Sequence, residues 1–494
     1  MEPRYDLCIL GAGPAGLAAA TRAHGLGKTV ALVEPGPPGG VGVADGALSS
    51  KTLWHLAMDF ARARRSDRGY DGSALTPSWP AITEQVRAAC AEAWAQAERL
   101  LATLAAPSPR GGRVERFRGK GRFVARDVVE VAGAGGAAPR AIAADRFLVA
   151  VGSRPRPMPG VDLDGERLLT SDHIERIGDL PTSLAVIGAG VVGCEYATIF
   201  AGFGRTAVEL FDRGARILPF EDTDVAAEIA RGFARHGVRV HGSARLEELR
   251  ADGDGVRLVV RLTPPGRPDD ETVVEHRVER ALLSIGRVPA LDGLGLEHAG
   301  VAVERGAIAC ATPGHCRTSA PHVWAAGDVT ADVMLANVAE QEGRHAVEDM
   351  FGLAPRPICY EAQSAIYFFR PEVAAVGLNQ QLAAARGVRH RAAIVHLAAL
   401  RRAIAMRATD GFVKLLADHD DRLIGLRVVA PQASSCIQGV ALLIERGGTL
   451  ADLDATLHPH PAITEGVQEA ARVLLGTSRH PPDAFPGLIQ IVDG

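Results

Sequence analysis

The sequence predicts an α/β protein: two Rossmann-like dinucleotide-binding domains and a C-terminal α+β domain. Three observations carry this. An apolar strand pattern runs into Gly11-Ala-Gly13-Pro-Ala-Gly16 and an Ala-rich helical stretch, and the same grammar returns at Gly188-Ala-Gly190-Val-Val-Gly193. From about Pro357 the pattern changes to short alternating apolar segments with no glycine fingerprint. A chain of 494 residues is too long for one hydrophobic core and fits about three domains.

Composition removes several function classes. The net charge is −4, with acids and bases interspersed, so there is no basic footprint for nucleic acid and small molecules are the expected partners. The seven cysteines are scattered, with no CxxC and no His at metal spacing; no metal is expected and a reducing cytoplasm fits. The first residues, MEPRYDLCILGAGPAGLAAA, lack a basic n-region and carry patterned glycines, which marks mature structure rather than a signal peptide. The apolar stretch 184–203 is Gly-rich and contains Glu195, so no membrane span is expected.

In chain order, residues 5–10 form a strand that leads into Gly11, Gly13 and Gly16. Gly11 permits the tight turn, Gly13 lets a pyrophosphate approach the backbone, and Gly16 lets helix and sheet pack closely. A second strand at 29–33 ends in Glu34, at the distance where a carboxylate binds ribose hydroxyls. A charged helical stretch is expected over 54–104, then strands near 117–123 and 128–131, and RFLVAVGSRP (146–155) reads as a strand entering a Gly turn. The second unit repeats the pattern, with a strand at 183–187, Gly188, Gly190 and Gly193, a helix through 200, and a strand at 206–211 ending in Asp212. Asp212 accepts from a 2′-hydroxyl and repels a 2′-phosphate, which favours NAD(H); neighbouring Arg213 and Arg216 keep NADP(H) as the alternative. ALLSIGRVPA (281–290) is another strand ending in glycine, and VWAAGDV (323–329) places Asp328 past a strand end, where it binds a ribityl hydroxyl, caps the next helix, or does both. Three antiparallel strands with helices on one side complete the C-terminal unit, and LIQIV in the tail reads as a short docking strand or partner segment.

Together these motifs resemble the pyridine nucleotide-disulfide oxidoreductases, a family that includes dihydrolipoamide dehydrogenase, glutathione reductase, mercuric reductase and soluble transhydrogenase. The resemblance rests on both fingerprints, AVGSRP (150–155), SIGRVPA (284–290), AAGDV (325–329), FRPEVAAVG (369–377) and HPHPAITE (458–465). It implies FAD at the first fingerprint, NAD(P) at the second and a dimerisation domain at the C-terminus. The implied organisation is 1–155 and 287–355 as two parts of the FAD domain, 156–286 for NAD(P), 356–476 for dimerisation and 477–494 as a tail. It adds Gly121, Gly152, Ala336 and Gly286 to the cofactor-binding residues.

The family motif near GGTCLNVGCIPSKAL here reads GGVGVADGALSSKTL (39–53), with Gly42 and Ala47 in place of the two redox cysteines. Neither residue can form a thiolate or a mixed disulfide, so the relay chemistry is absent. Lys51, one of only four lysines in the chain, matches the family lysine beside the flavin N5 edge, and Glu195 matches its partner. Their implied role is to stabilise negative charge as hydride arrives. His460 and Glu465 match the family's acid/base pair, shared across a homodimer; a structural His at a helix start is the alternative.

The resulting expectation is an FAD-dependent NAD(P)H oxidoreductase acting on a non-disulfide acceptor such as a quinone, a nicotinamide or another small molecule. The alternatives are a dihydrolipoyl dehydrogenase-like disulfide reductase and a flavin-holding electron-transfer subunit.

Overall fold

In the computed structural model, residues 4–133, 138–263, 266, 270–310 and 314–494 are described. Strand Tyr5–Leu10 pairs in parallel with Thr29–Glu34 on one side and Arg140–Val149 on the other, the arrangement a right-handed βαβ crossover produces. Arg113–Arg118 extends one edge and the antiparallel pair Gly121–Ala125 and Val128–Val131 extends the other. Strand Val323–Ala325 returns from late in the chain to pair in parallel with Arg140–Val149. Helix Pro14–Gly25 packs on helix Ala336–Met350. Gly343 makes that contact close, since a Cβ there would lie 2.1 Å from the Ala15 carbonyl oxygen.

The second parallel sheet runs Arg239–His241, Ala207–Phe211, Ser183–Ile187, Arg280–Leu283, Leu168–Leu169. Its inner strands Ser183–Ile187 and Arg280–Leu283 are mostly apolar and buried because both faces are covered, while the edge strand Arg239–His241 is mostly exposed. A three-stranded antiparallel sheet, Ala244–Asp252, Gly255–Leu262 and Thr272–Val278, shares a core with one face through Ala185, Phe211 and Leu258.

The charged stretch expected as one helix over 54–104 is two helices, Ala47–Ala63 and Trp79–Ala105. Gly69, Gly72 and Pro77 in the link disfavour helix, and Pro80 occupies the first turn of the second. The earlier start extends one buried stripe at helical spacing, Ser49, Ser50, Leu53, Trp54, Ala57 and Met58, whose first two members are small hydroxyl residues rather than apolar ones. Helix Ala47–Ala63 packs directly on Val191–Phe203 of the second unit, which brings the glycine loop of residues 39–46 to the domain junction.

The C-terminal sheet has six strands rather than three, in the order Ser364–Tyr367, Glu372–Gly377, Leu423–Ala430, Phe412–Asp418, His390–His396, Ile489–Asp493. The FRPEVAAVG motif spans a turn at Arg370–Pro371 between two of these strands, Ser364–Tyr367 and Glu372–Gly377. HRAAIVH gives a weak strand signal because two of its buried positions, Ala392 and Ala393, are alanines. The tail docks on this subunit's own sheet, where Ile489–Asp493 pairs antiparallel with His390–His396 and covers that edge. Ion pairs tie this unit to the second: buried Arg427–Glu221 at 2.6 Å and Lys414–Asp222 at 2.9 Å, and Lys414 to the partly exposed Asp224 at 2.7 Å. Among the described residues no helix is long and apolar enough to cross a membrane.

Candidate active site

Both glycine fingerprints adopt the geometry their residues dictate. Gly11 and Gly188 have φ of +106° and +103°, which L side chains rarely adopt. A Cβ at Gly16 or Gly193 would stand 1.9 Å from the carbonyl oxygen of Gly11 or Gly188, so only hydrogen fits between helix and turn. At Gly13 and Gly190 a Cβ would meet nothing of the protein within 4 Å. Each of these two glycines caps a helix with no side-chain acceptor on the first N–H groups and no acid in the first turn. Unpaired donors at the positive end of a helix dipole, beside open space, fit a pyrophosphate.

The two strand-end acids do something the sequence did not show. Glu34 accepts the Ala12 N–H at 2.7 Å through Oε2 and the Gly36 N–H at 2.9 Å through Oε1. Asp212 repeats this with Ala189 and Gly214, both at 2.7 Å. Each carboxylate therefore braces its own glycine turn, which fixes the acid beside the place a ribose would take.

A cavity of about 980 Å³ opens along the first fingerprint. Of the residues read from the sequence, Gly11, Gly13, Glu34, Lys51, Gly121, Gly152, Glu195, Asp328 and Ala336 line it. Gly16 is buried behind it, while Gly188, Gly190, Gly193, Asp212 and Gly286 belong to the second turn region outside it.

Lys51 and Glu195 meet at the cavity wall, Nζ to Oε2 at 2.8 Å. The lysine lies in the first turns of helix Ala47–Ala63 and the glutamate in those of Val191–Phe203, and the packing of these two helices makes the pair. Glu195 is 5% exposed at its side chain and Lys51 28%, so the acid is enclosed while the ammonium reaches the cavity. A third element completes the arrangement. The Phe368 N–H donates to Glu195 Oε1 at 3.1 Å, and the Phe368 ring lies 5.1 Å from Lys51 Nζ. Trp54 anchors that segment by donating its indole N–H to the Phe369 carbonyl at 3.1 Å. Phe368 escaped the sequence reading because its hydrogen bond to Glu195 comes from a backbone donor, which any non-proline residue supplies.

Gly42 ends a 3₁₀ turn and Ala47 opens the helix that carries Lys51; both line the cavity. No disulfide joins any of the seven cysteines. Cys90 comes nearest this loop, donating from Sγ to the Val43 carbonyl at 3.4 Å, but burial pushes its thiol up to about 11. Cys310 is pushed up to about 12 and Cys316 higher still, both by burial, and neither lines the cavity. These thiols are poor nucleophiles at neutral pH. Asp45, between the two substituted positions, has its carboxyl raised by burial despite Arg176 at 3.6 Å.

Asp328 heads the short 3₁₀ turn Asp328–Thr330 and is not the cap of the following helix, which starts at Ala336 behind Leu335. Its Oδ2 accepts from Ser153 Oγ at 2.5 Å, and Arg287 donates to the Ser153 hydroxyl and carbonyl at 2.8 and 2.9 Å. AVGSRP and SIGRVPA are thus adjacent antiparallel strands, Ser153–Pro155 against Arg287–Pro289. Glu342 fixes the same turn from behind, accepting from the Gly327 N–H and the Tyr360 hydroxyl, both at 2.6 Å.

His460 and Glu465 form a separate pair, Nδ1 to Oε1 at 2.7 Å, and Glu465 Oε2 accepts the Ala462 N–H at 2.8 Å. The imidazole is 56% exposed at its side chain and lies outside the cavity. Within one chain the four residues read as catalytic therefore form two couples. Among the described residues no group of His, Cys, Asp and Glu has metal-binding geometry.

The chain matches the family model described as pyridine nucleotide-disulphide oxidoreductase over residues 5–343, and that family's dimerisation domain over 363–471. It is 34% identical over 478 residues to dihydrolipoyl dehydrogenase of Geobacillus stearothermophilus, covering 96% of this chain and 97% of that one. With a Bacillus subtilis dihydrolipoyl dehydrogenase the identity is 30% over 491 residues, covering 97% and 100%. The crystal structure of LpdA from Mycobacterium tuberculosis is similar at a TM-score of 0.84 and 31% identity, with 95% of this chain and 99% of that one covered. The HOCl-induced flavoprotein disulfide reductase RclA of Escherichia coli, in its Cu(II) complex, shares the fold at a TM-score of 0.81 and 22% identity, over 96% and 100%.

Proposed function

The chain belongs to the pyridine nucleotide-disulphide oxidoreductase family, and from that premise we propose that it takes hydride from NADH and delivers it to a non-disulfide acceptor: a quinone, a nicotinamide or another small molecule. It is a flavoprotein oxidoreductase, and its family implies FAD and NAD(P). One observation carries the reading. Gly42 and Ala47 stand where thiol exchange needs sulfur, while Lys51 on the same helix keeps its 2.8 Å contact with Glu195.

Bound FAD supplies two-electron transfer between nucleotide and acceptor. The residues that would hold it are Gly11, Gly13, Gly16, Glu34, Gly121, Gly152, Asp328 and Ala336, with Lys51 beside its reacting edge. Lys51 contributes a fixed positive charge in a partly water-excluded wall, where charge stabilisation is strongest. Glu195 holds that ammonium in place and is itself held by Phe368. Gly188, Gly190, Gly193, Asp212 and Gly286 would hold NAD(H). Arg216 is withdrawn from a 2′-phosphate, because its guanidinium is spent on the carbonyls of Pro219 and Glu221 at 2.9 and 2.7 Å, whereas exposed Arg213 keeps NADP(H) as the alternative. The match to a dimerisation domain supports a homodimer. In it, His460, its tautomer held by Glu465, would serve the acceptor's protons.

Anaerobic titration of the purified protein with NADH tests this reading. Stoichiometric bleaching of oxidised flavin without a long-wavelength thiolate–flavin band is expected; appearance of that band overturns it. The names of the relatives favour a second reading, a dihydrolipoyl dehydrogenase-like activity. Lipoamide-dependent NADH oxidation that survives replacement of all seven cysteines would establish it.

A further inference from the structure

The loop from Asp212 to Asp222, between strand Ala207–Phe211 and helix Thr223–Arg235, holds the second glycine turn on both sides of Ala189. Asp212 Oδ2 accepts the Ala189 N–H at 2.7 Å, and the Leu218 N–H donates to the Ala189 carbonyl at 2.9 Å. Leu218 is fully buried at a φ of +48°, a left-handed conformation that a leucine keeps only where its surroundings hold it. Arg216 ties this stretch to the far end of the loop by donating to the Glu221 carbonyl at 2.7 Å. Whatever fixes residues 220–222 therefore fixes the turn on which the second nucleotide would sit.

What fixes them comes from the C-terminal domain. The Asn379 side-chain amide donates to the Phe220 carbonyl at 2.8 Å, and the Gln380 N–H donates to Asp222 Oδ1 at 2.9 Å. Arg427 meets Glu221 at 2.6 Å and Lys414 meets Asp222 at 2.9 Å, all four side chains being at most 5% exposed. Arg427 is itself locked to its sheet, donating to the Val376 and Gly377 carbonyls at 2.9 and 3.2 Å. Apolar side chains would seal a junction of this kind with a smaller desolvation cost.

We infer that these charges are kept for register: Asn379, Lys414 and Arg427 are positioning residues that hold the 212–222 loop, and through it the Gly188–Gly190 turn, in the geometry that binds NAD(H). Nucleotide affinity is thereby set in part from outside the nucleotide-binding unit. This rests on the reading of NAD(H) at the second fingerprint, and by reciprocity the bound nucleotide tightens the same docking.

Equilibrium binding of NAD+ to the oxidised holoprotein, with flavin content matched between variants, tests it. Lys414→Met leaves Asp222 enclosed without its counter-charge, so residues 220–222 gain by moving towards water. The Kd for NAD+ should rise about tenfold, within the span of couplings carried by packed networks. Adding Asp222→Asn removes the stranded charge and keeps an acceptor for the Gln380 N–H; the double variant should return to within about threefold of the wild-type Kd. An unchanged Kd in folded, flavin-loaded Lys414→Met overturns the inference, as does a double variant as weak as the single, which would mark a packing loss. Where Lys414→Met does not accumulate as folded protein, hydrogen exchange in wild type decides. Saturating NAD+ should slow exchange of the Gln380 amide about tenfold, and unaltered exchange overturns the inference. If wild type does not bind NAD+, the NAD(H) reading itself falls, and this inference with it. NAD+ binding by wild type together with an unaltered Kd in Lys414→Met removes only the inference.

Discussion

Glu195 is shared between Lys51 and Phe368: one carboxylate oxygen meets the ammonium at 2.8 Å and the other takes a backbone N–H at 3.1 Å. A single side chain of the second nucleotide unit thus joins the first unit to the C-terminal domain at the cavity wall. Removing one member of such a pair leaves an enclosed charge uncompensated, which is more damaging than never having had the pair.

Lys51→Met keeps the chain length and removes the charge. Flavin reduction by NADH in single-turnover kinetics is expected to slow about 10²-fold, equivalent to about 3 kcal/mol of lost transition-state stabilisation. Unchanged reduction would show that the ammonium does not face the reacting atoms.

Putting sulfur back is expected to fail at one position more than the other. A Cβ at Gly42 would stand 3.0 Å from Pro14 Cγ, at the start of the helix whose N-terminus faces the cofactor cradle. Ala47 already carries a Cβ. Gly42→Cys should therefore weaken flavin retention on gel filtration more than Ala47→Cys does; equal retention would mean that Pro14 yields freely.

Asp212→Ala removes both the ribose partner and the brace on the Ala189 and Gly214 N–H groups. The KM for NADH should rise about tenfold or more, the scale of one charge-assisted hydrogen bond. Its preference for NADH over NADPH should narrow, and a preference unmoved by the substitution would place discrimination elsewhere.

His460→Gln should leave reduction by NADH nearly unchanged and slow reoxidation by the acceptor, because the imidazole lies outside this chain's cavity and Glu465 orients it. Stopped-flow measurement of the two half-reactions separates these. The reverse pattern would assign the His to the nucleotide side.

An acid limb in stability is expected from His276. Burial pulls its imidazole below the usual value, opposed by Glu209 at 3.2 Å and reinforced by nearby His241 and Arg239; its Nε2 is enclosed without a partner among the described residues. Its folded pKa is depressed, so its contribution is present above the unfolded value of about 6.5 and is lost as pH falls below that. The thermal midpoint of His276→Leu should thus fall less steeply than that of wild type between about pH 6.5 and about pH 5. Parallel curves would show that the ring is already free to protonate.

The sequence by itself determined what depends on residue type at short spacing. The turn glycines and strand-end acids lie within single βαβ units, and the loss of both sulfurs is a matter of identity at Gly42 and Ala47. Family resemblance also paired Lys51 with Glu195, 144 positions apart. Tertiary structure alone decided the rest. The Phe368 N–H reaches Glu195 across 173 positions, and a backbone donor leaves no mark in the residue alphabet. Val323–Ala325 joins the first sheet, and the tail strand closes the last one, because strand partners are chosen by packing rather than by neighbours in the chain.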